Sequence, residues 1–459
     1  MSRTPVRLLL VLLLARLALA LLTVEHPEGG ILTDSREYLA LAGRLVANGQ
    51  YGVTPDSQGD LIRPPGYALF LTGVRTMLGP GIWKISIVQL AFSGLTSWLI
   101  LVIGREIGRP QVGLTGAYLH ALSPNMTLWS LTVMSEVPFS LSLALVSLLA
   151  IRAFKASSPP RLALVGVWLS LSAYVRPIAL TLLPAWPALA YMHGRLRMGI
   201  RRAATAGAAM ASLGVLTALP WIIRNGTTHG QYVFSTATTK TWIGFNLAEV
   251  LAQVEGTDRN RAVAELDSQR GPLALTWEVA SAHPSTFIKV QLLGVARSLI
   301  GTDLGTWGIL LGEHDWVGLG VLSGLLREGP SESLAALQRS GAGLSWIAKG
   351  LVGWMRLGIL AYSLFFTGAL LALSALGVIF VRKSEPVERF MQDFGLITVA
   401  VLILVPAAAG QARFRVPAEP YLGLFAGYGW GYLRHRMSKR SNTTGATPGE
   451  LPEILRAAP

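Results

Sequence analysis

The chain has 459 residues, 51% hydrophobic and only 14% charged, with a mean hydropathy of +0.48. Those values exclude an ordinary soluble globular domain. A formal charge of +14 does not mark a nucleic-acid binder, because Arg and Lys sit in short clusters beside apolar stretches, as membrane anchors do. Cys is absent, which excludes a disulfide framework, a metal thiolate and a thiol nucleophile.

A membrane helix needs about 20 apolar residues to cross a core of ~30 Å. Apolar stretches of suitable character run over 6–24, 83–103, 110–123, 137–151, 162–174, 178–192, 203–221, 357–381, 394–409 and 420–433. The expectation is an all-α integral membrane protein with about ten spans. The third stretch, about 14 residues at 1.5 Å each, reaches only about 21 Å. The fifth is as short. Their ends, Ser123-Pro124-Asn125 and Arg176-Pro177, should therefore stop inside the bilayer and open a cavity there, where irregular backbone is tolerated only against protein or water.

Every second connection is basic. Arg3 and Arg7 precede the first stretch, and Arg105 and Arg109 follow the second. Arg152, Lys155 and Arg161 follow the fourth, and Arg195, Arg197, Arg201 and Arg202 follow the sixth. Arg382, Lys383 and Arg389 follow the eighth, and Arg434, Arg436, Lys439 and Arg440 follow the last. By the positive-inside rule these connections are cytoplasmic, with both termini inside. The first stretch also fits a signal peptide, with its basic start, Leu-rich core and small residues near Ala18–Ala20; its length and the motif after it favour a retained helix. One domain over 1–433 follows, with outer segments at 25–82 and 222–356. Apolar stretches at 272–282 and 287–300 suit the interface. A short cytoplasmic tail, 434–459, is rich in Thr, Pro and Gly from Ser441 and reads as disordered. No internal repeat, Walker motif, GxGxxG or zincin signature is present.

The special polar residues map to the side opposite the basic loops. Asp34, in Thr33-Asp34-Ser35-Arg36-Glu37-Tyr38, opens a short amphipathic helix expected to reach Val46 and to end at Asn48-Gly49. Asp34 with Glu37 has capping-box spacing. It is equally a carboxylate held at the membrane surface, able to take a proton from a hydroxyl. Glu136 begins the fourth stretch, where an acid is costly unless solvated or paired and suits a helix N-terminus. Arg63, Arg176, Arg224, Arg413 and Arg415 place guanidiniums at the same side. Each alone could snorkel to lipid headgroups; together they suit a phosphate, which Arg binds bidentately. His120 reads as a satisfied structural group. His229 could hold a metal only with an acidic partner, and Asp56 and Asp60 read as solvated loop. Asn125-Met-Thr and Asn225-Gly-Thr match a glycosylation pattern only weakly.

Taken in order, these segments resemble the GT-C superfamily of integral-membrane glycosyltransferases. The resemblance is nearest the family-39-like group of protein O-mannosyltransferases and aminoarabinose (lipid A) transferases. It rests on the first helix with Asp34 and Tyr38-Leu39-Ala40-Leu41-Ala42, then Arg63-Pro64-Pro65-Gly66-Tyr67. Ser123-Pro124 with Glu136, Arg176-Pro177, and Pro220-Trp221 with Arg224-Asn225 follow. Arg413-Phe414-Arg415-Val416-Pro417 with Pro420 closes the series. It implies inverting transfer of a sugar from a polyprenyl-phosphate donor to an acceptor hydroxyl on a glycan, lipid or protein. The reaction would occur at the periplasmic face of the inner membrane. It makes Asp34 the catalytic base, and Tyr38, Arg63, Glu136, Arg176, Arg224, Asn225, Arg413 and Arg415 substrate-binding residues. No metal ligand set is implied, although a divalent ion is compatible, and no nucleic-acid partner. Ser35 stands where relatives often have a second acid, and no large C-terminal soluble domain is evident. Rival readings are an oligosaccharide ligase or polymerase using a diphosphate donor, a transporter of lipid-linked sugars, and a non-catalytic scaffold. A transporter would spread its arginines near the midplane and carry repeats.

Overall fold

The computed structural model describes residues 3–21, 24, 27–52, 59–266, 271–310, 350–380 and 385–444. All regular structure among them is helical. The first long helices are α1 (Arg3–Leu17), α2 (Thr33–Asn48), α3 (Pro65–Leu78), α4 (Ile82–Glu106) and α5 (Pro110–Leu122). Then come α6 (Pro124–Leu131), α7 (Glu136–Lys155), α8 (Pro159–Val175), α9 (Ala185–Met198) and α10 (Ile200–His229). A short α11 (Ala237–Thr241) leads to α12 (Ala248–Glu255), α13 (Pro272–Ala282) and α14 (Pro284–Ile300). The chain closes with α15 (Gly350–Ile379), α16 (Pro386–Leu404) and α17 (Glu419–Thr444).

The protein is an all-α membrane protein, as the composition requires. Four helices among the described residues are individually long and apolar enough to cross a membrane: Ile82–Glu106, Glu136–Lys155, Ile200–His229 and Gly358–Ile379. The other six expected spans are helical too, but shorter, broken or more charged. The stretch expected at 178–192 is split. Pro177 starts a 3-10 turn to Leu182, and helix resumes only at Ala185. The stretch at 394–409 begins earlier, at Pro386, and stops at Leu404 before Pro406. The last helix continues to Thr444, so residues 434–444 are helical rather than tail; 445–459 lie outside the described residues. Both apolar stretches of the second long segment form helices, α13 and α14. Leu273 and Trp277 of α13 are exposed, as an interfacial helix requires.

Small residues let the bundle close. A Cβ on Gly104 would lie 2.3 Å from the Cα of Gly113, so α4 and α5 touch backbone to backbone. At Gly429 a Cβ would meet the Leu373 carbonyl oxygen at 2.0 Å, joining α15 to α17. Lipid gives no hydrophobic drive between helices, so such close approach supplies the contact energy. Farther along, Phe154 stacks on Phe390 at 4.4 Å between centroids, and the indole of Trp186 lies 3.7 Å from the Phe394 ring. At that end Glu106 accepts from Arg152 and Lys155, each at 2.8 Å, and Arg109 pairs with Glu388. Arg109, Arg152, Lys155 and Arg197, from three of the basic connections, therefore gather at one end of the bundle.

Candidate active site

At the opposite end is a cavity of about 280 Å³. Its walls come from α2, the 62–64 and 134–135 connections, the start of the turn after α8, α11 with Phe245, and the 405–414 segment.

α2 carries the acid. Its buried face is Ser35, Tyr38, Leu41 and Ala42, an i, i+3, i+6, i+7 pattern. Gly49, at φ 69°, ends it in a left-handed turn. The N-terminus corrects the capping expectation. The helix starts at Thr33, and Ser35 Oγ accepts from the Leu32 N–H at 2.9 Å. Asp34 is thus released from capping, because Ser35 does that work. The Asp34 carboxylate instead bridges two arginines: Arg63 Nη2 at 2.9 Å and Arg413 Nη1 at 2.9 Å. Glu37, the other half of the expected capping box, binds Arg63 Nε at 2.8 Å.

Pro64 is extended and Pro65 begins α3, so the chain turns sharply after Arg63 and leaves its side chain against α2. The guanidinium also covers the Tyr38 ring at 5.0 Å. Tyr38 packs edge-on against Tyr67 at 4.7 Å, and its hydroxyl is 3.4 Å from Ser135 Oγ. Tyr67 donates to Gln89 Oε1 at 2.9 Å, while Gln89 Nε2 donates to the carbonyls of Ser130 and Thr132. That amide ties the end of α6 and the irregular 132–135 backbone into the bundle.

Arg176 ends α8 in extended conformation and reaches Ser135 Oγ at 3.3 Å and Glu136 Oε1 at 2.5 Å. Glu136 is fully buried behind the wall, so it positions Arg176 rather than facing the cavity. Of the two stretch ends expected to open a cavity, Arg176-Pro177 lines it and Ser123-Pro124-Asn125 does not. After α5 stops at Leu122, Ser123 caps a second short helix, α6, accepting from the Met126 N–H at 3.0 Å. All eight residues of α6 are buried.

Besides Glu136, three expected substrate-binding residues do not line the cavity. Arg224 contacts Asn225 Oδ1, the Tyr51 carbonyl and His229, and stacks on Trp221 at 4.8 Å. Asn225 is buried and donates to the carbonyls of Val233 and Phe234, closing the turn after α10. Arg415 is buried among Glu419, Thr367 and the Leu299 carbonyl. These groups complete the scaffold beneath the site. His120 is buried with Ser97 at 2.8 Å, a satisfied structural contact on that side of its ring. His229 Nε2 lies 3.3 Å from Arg224 Nη1, and among the described residues no cluster of three or more His, Asp or Glu could hold a metal. Asp56 lies outside the described residues.

Two relevant groups lay beyond sequence reasoning. Lys240 of α11 lines the cavity. Asp303, in a left-handed conformation at φ 48°, accepts from Trp129 Nε1 at 2.9 Å. Neither sits in a local pattern that differs from an ordinary loop.

Burial pushes the Asp34 carboxyl up, but Arg413 and Arg63 outweigh it and hold the group below the usual aspartate range. Burial pushes the Arg63 guanidinium down, yet Tyr38, Asp34 and Glu37 raise it overall. Asp34 is therefore ionised at neutral pH. A carboxylate offers about four lone-pair sites, so two arginine bonds leave room for an incoming hydroxyl. The side chain is 25% exposed, toward the cavity.

Residues 62–223 match the model of the dolichyl-phosphate-mannose-protein mannosyltransferase family. This supports a GT-C-superfamily glycosyltransferase. The GT-C match covers about a third of the chain; Arg63, Glu136 and Arg176 fall inside it, while Asp34, Lys240 and Arg413 fall outside. No curated protein matches. Among solved structures, the Archaeoglobus fulgidus oligosaccharyltransferase tethered with an acceptor peptide is 11% identical, with a TM-score of 0.49 over 97% of this chain and 52% of its own. The chain thus spans about half the length of that enzyme. ArnT from Cupriavidus metallidurans, bound to undecaprenyl phosphate, is 11% identical, with a TM-score of 0.40 over 98% and 82%. At these scores neither likeness carries an argument about activity.

Proposed function

We propose that the protein transfers a sugar from a polyprenyl-phosphate carrier to an acceptor hydroxyl, with inversion, at the periplasmic face of the inner membrane. The observation that carries this reading is Asp34, ionised and fixed between Arg63 and Arg413 on the wall of a cavity at the end of the bundle away from the basic loops. The matched family's description names a lipid-phosphate sugar as donor, which supports the donor class.

Asp34 accepts the acceptor's hydroxyl proton as that oxygen bonds to the anomeric carbon. The bond from that carbon to the phosphate oxygen breaks, and its electron pair leaves with the lipid phosphate. Positive charge on the cavity wall stabilises the growing negative charge. Arg63 keeps Asp34 oriented through the change, and Glu136 keeps Arg176 aimed at the cavity. The first 433 residues act as one membrane domain, with outer segments at 25–82 and 222–356.

The test uses the full chain in lipid nanodiscs with radiolabelled polyprenyl-phosphate sugars and an envelope extract as acceptor source. Wild type is expected to transfer label, and an equally folded Asp34→Asn variant to lose transfer by at least about 10³-fold. Full transfer by the variant would remove Asp34 as base. Transfer only from diphosphate donors would move the protein to the ligase class.

A further inference from the structure

Lys240 sits on an element clamped to both sides of the cavity. Just before α11, Ser235 Oγ donates to the Ile62 carbonyl at 2.7 Å and the Thr236 N–H to the Leu61 carbonyl at 2.9 Å. That sets α11 beside Arg63. After α11 the helix widens into a π-turn over Trp242–Leu247, a form common at functional sites. Within it Phe245 lines the cavity, and Asn246 Oδ1 accepts from the Ala408 N–H at 3.1 Å on the Arg413 side.

The cavity's charges are otherwise committed. Arg63 is paired with Asp34 and Glu37, Arg413 with Asp34, and Arg176 with Glu136. Four cations on the wall are therefore matched by three carboxylates, Asp34 and Glu37 on the wall and Glu136 behind it, and the surplus is Lys240, whose ammonium has no carboxylate partner among the described residues. It is exposed, on a flexible stem with three donors.

Building on the donor reading above, we propose that Lys240 is the donor-phosphate anchor, and that this single uncommitted cation selects a monophosphate-linked over a diphosphate-linked donor. A sugar–phosphate–lipid is a phosphodiester with one negative charge, which one surplus cation balances. A diphosphate linkage carries at least two. When the sugar–oxygen bond breaks, its electron pair stays on the phosphate, and the proton goes from the acceptor hydroxyl to Asp34. The second negative charge thus grows within reach of Lys240, where a charge-assisted hydrogen bond strengthens.

The test measures binding to the full chain in phosphatidylcholine nanodiscs. The probe is a polyprenyl-phosphate sugar, a phosphodiester with one negative charge, with polyprenol, a polyprenyl-diphosphate sugar, inorganic phosphate and phosphatidylglycerol as further arms. Wild type is expected to prefer the monophosphate over polyprenol and over the diphosphate. Lys240→Met should weaken monophosphate binding about ten- to hundred-fold, Lys240→Arg should restore most of it, and Asp34→Asn should not weaken it. In turnover, Lys240→Met should raise the donor KM. Equal monophosphate affinity in wild type and Lys240→Met would overturn the inference while leaving the donor reading intact. Absence of monophosphate binding to wild type would overturn the donor reading itself. Equal competition by phosphatidylglycerol would make Lys240 a headgroup anchor, and equal competition by inorganic phosphate would make the site a free-phosphate site; either overturns the inference.

Discussion

Gly66→Ala should damage the active site without touching any ionisable group. Gly66 lies in the first turn of α3, three residues after Arg63. A Cβ there would stand 2.6 Å from the Tyr174 carbonyl oxygen, 2.7 Å from its carbon and 2.9 Å from the Val175 nitrogen. All three are backbone, so no rotamer can yield. Ordinary contact begins at 3.4 Å, so α3 and the end of α8 must separate by about 0.8 Å. The residue after Val175 is Arg176, and the shift is delivered to the spacing between Arg63 and Arg176 across the cavity. Overpacking of this kind costs about 1–3 kcal/mol, and a displacement near 1 Å at a reacting centre costs up to about 10²-fold in rate. The control is Gly73→Ala in the same helix, where nothing lies within 4 Å. That change should hold or raise stability by up to about 1 kcal/mol, because Ala is the better helix residue. The assay is donor turnover beside thermal unfolding in nanodiscs. If Gly66→Ala matches Gly73→Ala within two-fold in rate and within a degree or so in Tm, the packing argument is wrong.

Three other outcomes follow from the same geometry. Asp34 has a folded-state pKa below its unfolded value, so its ion pairs add stability that is complete above the unfolded value of about 3.9 and lost as pH falls through the folded one. The Tm difference between wild type and Asp34→Asn should therefore be flat from pH 5 to 8 and shrink only below about pH 4; an acid limb of activity between pH 5 and 7 would assign the base elsewhere. Glu136→Gln strips Arg176 of its buried carboxylate. It should lower stability, by at most the about 3–5 kcal/mol of a broken buried pair, and raise the donor KM; unchanged unfolding and kinetics would show that Arg176 is held by Ser135 alone. Asn225→Ala leaves the Val233 and Phe234 carbonyls without their amide donor. It should cost about 1–3 kcal/mol in unfolding while leaving donor KM unchanged, and a selective KM effect would return Asn225 to the binding site.

The all-helical membrane class, the positions of the main apolar helices and the end of α2 at Gly49 were legible because hydropathy, Pro and Gly act over a few residues. The convergence of Asp34, Arg63, Arg176 and Arg413 at one end was legible for the same reason: helix polarity alone places them. Whether each one faces the cavity was not. Asp34 and Glu37 carry a capping-box spacing, and only the approach of Arg63 and Arg413 from other segments turned both carboxylates toward guanidiniums. Arg413 and Arg415 are two residues apart, yet the 3-10 turn at Ala412–Ala418 sends one to the cavity and buries the other against Glu419. Lys240 has no local signature at all. Its place depends on two hydrogen bonds to the helical turn Gly59–Ile62, some 175 residues earlier, and such long-range pairing is written in the packing of the whole chain rather than in any window of it.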